Sequence, residues 1–188
     1  ALDALVVQAE TKLKMPDWFE KHKNQLLEFN HALYVAIGSA LSRNMGQEII
    51  RDIAAKIKEY HYPQNSSQEA RGDFMAPLHV PCSVVPRLHL FSYHDLNLIA
   101  VLYSLNRNEI KKRPDYGSLV IFETVQNPEV EEPFINVLYR DGDTDHVVYN
   151  MTGCPYPCTV KKFIKYVDET FKPMTAEECG IPENYILL

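Results

Sequence analysis

Arg87-Leu88-His89-Leu90-Phe91-Ser92-Tyr93-His94-Asp95-Leu96-Asn97, running on through Leu98-Ile99-Ala100-Val101-Leu102-Tyr103-Ser104-Leu105, is where this chain changes texture. Residues 87–92 are built around apolar side chains and read as a strand, which Tyr93-His94-Asp95 ends. Residues 96–105 are almost wholly apolar and read as a buried helix, with Asp95 as its N-cap. A histidine and an aspartate thus meet where a strand hands over to a helix. In α/β sheets that junction is where ligands bind, and the helix N-terminus adds partial positive charge suited to an anion. The plainer reading is that Asp95 caps and His94 satisfies a neighbour. Local sequence alone favours that reading, capping aspartates being abundant.

Upstream the pattern is helical. Residues 2–12 (LDALVVQAETK) read as a short amphipathic helix, and Met15-Pro16-Asp17-Trp18 restarts the chain, with Pro16 suited to a first helical turn. From Trp18 to about Ile37, apolar residues at Phe19, Leu26, Leu27, Phe29, Leu33, Tyr34 and Ile37 follow helical spacing and predict one buried stripe. Gly38-Ser39 is expected to break that helix, and residues 46–60 repeat the pattern. Residues 1–62 therefore read as a helical lobe. Residues 63–86 form a polar, proline-punctuated loop holding the sequon Asn65-Ser66-Ser67 and the integrin-type tripeptide Arg71-Gly72-Asp73. Such tripeptides arise by chance, and an integrin partner carries little weight.

Downstream, Lys111–Gly117 reads as a turn, and strands are expected over 118–125 and 134–140, joined by the acidic linker 126–133. Asp141-Gly142-Asp143 signals a hairpin turn, 146–149 the return strand, and 159–171 (TVKKFIKYVDETF) a last amphipathic helix. The expected class is α/β, more fully α+β: the helical lobe packed on a small mixed sheet within 87–188, in one compact domain.

Composition narrows the function. The 188 residues carry 46% hydrophobic side chains, enough for a sizeable core, and a net charge of −6. That balance argues against a nucleic-acid surface, which needs clustered positive charge. No apolar run of membrane-spanning length occurs, and no GxxxxGK[ST] or GxGxxG loop is present to cradle a nucleotide phosphate. Residues 1–10 carry Asp3 and no basic start, so any signal peptide is expected to have been removed already. The histidines outside the His94–Asp95 junction form no i, i+4 pair on an expected helix, so no metal and no cofactor is assigned.

The cysteines are Cys82, Cys154, Cys158 and Cys179. Two prolines tighten Cys154-Pro-Tyr-Pro-Cys158, so a structural disulfide is the favoured reading there, over a redox pair or half of a zinc site. Whether Cys82 pairs with Cys179 stays open. The disulfide loop with two sequons, at Asn65 and Asn150, points to a secreted or lysosomal route.

The order of these pieces carries a resemblance. Strand, His94-Asp95, apolar helix, Pro114-Asp115-Tyr116-Gly117-Ser118, a strand with Glu123, a strand ending in Leu138-Tyr139-Arg140, then Gly153-Cys154-Pro155-Tyr156-Pro157-Cys158 and a final helix resemble the C-terminal half of the histidine acid phosphatases. Phe91-Ser92-Tyr93-His94-Asp95-Leu96-Asn97 is similar to that family's S-x-HD-T-x segment, with Leu96 in place of its threonine. The resemblance implies a truncated histidine-phosphatase-like fold, with His94 a phosphate ligand and Asp95 the general acid of phosphomonoester hydrolysis. It also implies a nucleophile segment R-H-G-x-R-x-P, which this sequence lacks. Without those arginines there is little converging positive charge for phosphoryl transfer.

Two expectations follow from the missing segment. The first is a shortened, inactive relative, similar to the acid-phosphatase-like proteins in flea saliva. That group implies secretion and sequestration of host mediators, biogenic amines such as serotonin and also leukotrienes, to antihaemostatic or anti-inflammatory effect. Asp95 would then serve as counter-ion to an amine, with Tyr93, His94, Tyr34 and Trp18 around it, although core packing is the plainer role for Trp18. The second is that the chain is the C-terminal portion of an active phosphatase whose nucleophile lies elsewhere.

Overall fold

A computed structural model describes residues 2–63, 86–107, 110–126, 128, 130–175 and 177–178. The sequon at Asn65, Arg71-Gly72-Asp73, Cys82 and Cys179 lie outside the described residues. Helix α1 spans Leu2–Glu10 and α2 spans Asp17–Ala40, entered through Pro16 in an extended conformation. A single π-helical turn, Ser42–Gly46, leads into α3, Gln47–His61. Helix α4 covers Asp95–Leu105. Strands β1 (Leu119–Val125), β2 (Phe134–Arg140), β3 (Val147–Val148) and β4 (Cys158–Thr159) precede α5, Val160–Thr170.

Helices and a small sheet share the fold, as the α+β reading expects. The sheet is antiparallel throughout rather than mixed: β1 lies along the whole of β2, from Leu119 opposite Arg140 to Val125 opposite Phe134. Strands β3 and β4 share the other edge of β2, pairing Leu138 with Val148 and Ile135 with Cys158. Gly142 turns the chain between β2 and β3 at φ +57°, a conformation costly for any residue with a Cβ.

Alternation on β2 buries Ile135 and Val137 on one face. Against them pack Ile50 and Ala54 of α3, Val101, Leu102 and Leu105 of α4, and Val160, Phe163, Ile164 and Val167 of α5. Cys154 and Cys158 form the expected disulfide, with Cα atoms 5.5 Å apart, inside the same core. Thr159 caps α5, its Oγ1 accepting the Lys162 N–H at 3.3 Å.

Three local expectations are corrected. Gly38-Ser39 does not end α2, which continues to Ala40. Gly38 is buried, and a Cβ there would overlap the Ile99 side chain of α4, so the glycine serves close helix packing rather than a break. Residues 87–92 do not form a strand. They are exposed coil, Leu90 at 86% of its full accessible area, because a strand exists only with a hydrogen-bonded neighbour and none stands beside them among the described residues. Asp95 is the first residue of α4, not its cap; His94 takes the N-cap position at φ −98°, ψ 167°.

Candidate functional site

The first turn of α4 is organised around the His94–Asp95 pair. Asn97 closes it: its Oδ1 accepts the His94 N–H at 3.1 Å, while its Nδ2 donates to the Met45 sulfur of the π-helical turn at 2.7 Å. Gly46 beside Met45 permits this approach, since a Cβ there would overlap the Ala100 carbonyl of α4. The glycine and the helical register thus fix where His94 emerges. His94 itself is exposed.

Asp95 is fully engaged. Its Oδ1 accepts the Leu96 N–H at 2.8 Å, and its Oδ2 accepts from Arg113 Nε at 2.8 Å. Arg113 sits in the segment between α4 and β1 with only 11% of its side chain exposed, against 26% for Asp95. Its guanidinium carbon stands 4.6 Å from the Tyr34 ring centre and 5.8 Å from that of Tyr116. A second carboxylate, Asp3 of α1, lies 3.5 Å from Arg113 Nη1 and accepts the Tyr34 hydroxyl at 2.8 Å. The Arg113 backbone N–H points to His31 Nδ1 at 3.4 Å. One guanidinium therefore gathers α1, α2 and α4 around it.

The electrostatics follow from this packing. Burial pushes the Tyr34 hydroxyl up to about 12, aided by its bond to Asp3 and opposed by Arg113. Burial also works against the charge on Arg113, but Asp95, Tyr34 and Tyr116 outweigh it and hold the guanidinium above its ordinary value. Two carboxylates face one guanidinium, so the cluster keeps one excess negative charge.

A second network holds the segment that carries Arg113. Asp141 accepts from Lys112 Nζ at 2.6 Å, from the Asp115 N–H at 2.8 Å and from Ser118 Oγ at 3.0 Å. Burial works to raise the Asp141 pKa, yet these bonds outweigh it and the carboxyl is held below its usual range.

The structure brings Tyr34 and Asp95 together through Arg113, with His94 next along the chain. Tyr93 is exposed and its ring stacks parallel to Phe91, centroids 6.1 Å apart and planes 5° off. Trp18 is not part of the cluster. It lies edge-on to Phe19 at the start of α2, about 24 Å along the helix axis from Tyr34 at 1.5 Å per residue. Arg113, Asp3, Tyr116 and Asn97 escaped the sequence reading. In the sequence Arg113 is the last of three consecutive cations, Lys111-Lys112-Arg113, before Pro114, in a segment read only as a turn. Among the described residues no group of three or more His, Cys, Asp or Glu side chains is arranged to hold a metal, and no helix is long and apolar enough to cross a membrane.

No family model matches the chain. Among curated proteins it is 27% identical over 201 aligned residues to "Putative acid phosphatase 1" of Caenorhabditis briggsae, covering 95% of this chain and 44% of the relative. The Caenorhabditis elegans protein of the same description is 26% identical, with the same coverage. Lysosomal acid phosphatase of Rattus norvegicus is 30% identical over 104 residues, 54% of this chain and 24% of the relative. The chain is similar to acid phosphatases. It spans under half the length of these relatives.

Proposed function

We propose that these residues form the ligand-holding side of an acid-phosphatase-type pocket, and that they bind a small aromatic amine rather than hydrolyse a phosphomonoester unaided. The observation that carries this reading is the engagement of Asp95. With one oxygen on the Leu96 N–H and the other on Arg113, the Asp95 carboxyl is not free to protonate a leaving group. Arg113 is likewise spent on Asp95 and Asp3 and packed on tyrosine rings, so its guanidinium is not aimed at a phosphoryl group. The excess negative charge favours an ammonium over an anion, and the stacked Phe91 and Tyr93 beside His94 offer an aromatic platform. A leukotriene, being anionic, is expected to bind more weakly than serotonin. The buried disulfide supports an extracellular or lysosomal setting.

Calorimetry of the pure chain against serotonin, noradrenaline, histamine and a cysteinyl leukotriene, with a phosphatase assay on the same batch, tests this. One-to-one amine binding weakened by Asp3→Asn, without turnover, supports it. Flat heats, or turnover by these residues alone, overturn it.

A second reading is favoured by coverage: 95% of the chain aligns to 44% of its nematode relatives. On it, His94 and Asp95 work with a nucleophile supplied by further sequence, and Asp95 leaves Arg113 when substrate binds. A longer chain that hydrolyses p-nitrophenyl phosphate and loses this with Asp95→Asn would establish it.

A further inference from the structure

Asn150-Met151-Thr152 follows β3 after the single residue Tyr149, and its geometry is set by the core beneath it. Tyr149 and Met151 are buried, at 4% and 5% exposure, so the extended chain turns the intervening Asn150 outward. Tyr149 donates its hydroxyl to the Leu102 and Asn106 carbonyls at 3.0 and 3.1 Å. The Asn150 carbonyl accepts from Asn106 Nδ2 at 3.0 Å, and the Thr152 N–H donates to Leu105 O at 3.0 Å. The backbone of the triplet is thus pinned to the end of α4 while the Asn150 side chain and Thr152 stay exposed.

Two exposed apolar side chains lie near this asparagine. Val148 of β3, on the same side of the extended chain as Asn150, is 53% exposed, and Tyr156, between the disulfide cysteines, is 69% exposed. Val148, Asn150 and Tyr156 line one hollow. Exposed apolar side chains grouped beside one polar acceptor mark a surface made to be covered.

We propose that Asn150 carries an N-linked glycan whose first sugars lie over Tyr156 and Val148. The donor is a lipid-diphosphate-linked oligosaccharide. The Asn150 Nδ2 bonds to the sugar C1 as the C1–oxygen bond to the diphosphate breaks; the amide gives up one proton and lipid diphosphate leaves. The attachment needs no rearrangement of the fold, because no backbone bond of the triplet involves the Asn150 amide side chain.

The test is production behind a secretion signal in a eukaryotic host, release of glycans with peptide N-glycosidase in heavy-oxygen water, and peptide mapping. An oxygen-tagged aspartate at 150 is expected, lost in both Thr152→Ala and Asn150→Gln. An untagged Asn150 in secreted, disulfide-bonded protein overturns the site. For the covering role, enzymatically deglycosylated protein should bind more of a hydrophobic dye than the glycosylated form, with the difference narrowed in Tyr156→Ser. Equal dye binding by both forms overturns that role.

Discussion

Replacing Arg113 is the perturbation on which the site's physics bears most directly. Its Nε stands 2.8 Å from Asp95 Oδ2, which places the charge centres about 4 Å apart, a separation worth about 4 kcal/mol in a near-surface environment. Asp95 keeps 26% exposure, so water recovers part of that when the partner is removed. A cost of about 2 kcal/mol is appropriate, below the ~3–5 of a fully buried pair. Loss of the stacked contact with Tyr34 adds about 0.5–1 kcal/mol. The Asp3 contact, at 3.5 Å to a carboxylate more than half exposed, adds less than about 1 kcal/mol. Arg113→Ala should therefore destabilise the chain by about 3 kcal/mol, and Arg113→Lys by about half as much, since lysine neither forks nor stacks. Urea denaturation measures both. A double-mutant cycle with Asp95→Asn should return a coupling of about 1–2 kcal/mol. Arg113→Ala alone frees Asp95 Oδ2, so in that variant amine binding should tighten about tenfold while stability falls. A coupling near zero, or an Arg113→Ala variant as stable as the parent, would refute the assignment of Arg113 as the ion that organises this site.

Other expectations concern the scaffold. Gly46→Ala drives a methyl against the Ala100 carbonyl and should cost about 1–3 kcal/mol in urea, more than Gly38→Ala, which meets only the Ile99 side chain. Asp141 has a lowered folded pKa, so its stabilisation is present above the ordinary carboxylate pKa and is lost as pH falls through the folded value; the urea midpoint should drop on acidification, and Asp141→Asn should flatten that dependence. Replacing Cys154 and Cys158 together by serine opens a loop of sequence separation 4, for which loop-closure entropy gives a loss of about 2 kcal/mol; an unchanged melting temperature would contradict that account.

Much of the scaffold was legible because the relevant forces act within a few residues. Helical spacing of apolar side chains located α2, α3 and α5, and Asp141-Gly142-Asp143 located the turn that Gly142 makes in the left-handed region. The CPYPC loop is short enough that its two sulfurs meet whatever else the chain does. The His94–Asp95 pair stood out for the same reason, at the boundary between an apolar helix and a segment read as a strand.

The roles of residues 87–92, Gly38 and Asp95 were decided elsewhere. A strand needs a hydrogen-bonding neighbour, so the apolar pattern of Arg87–Ser92 determines a preference and not a structure. Gly38 looks like a helix breaker until the side chain of Ile99, 61 positions on, is brought against it. Asp95 reads as a helix cap until the fold returns Arg113 to it from 18 residues away and brings Asp3, near the start of the chain, to the same guanidinium. Periodicity and turn chemistry are local and can be read from the sequence. The charge state and occupancy of a site depend on which distant side chains share its low-dielectric space, and only the tertiary structure selects them.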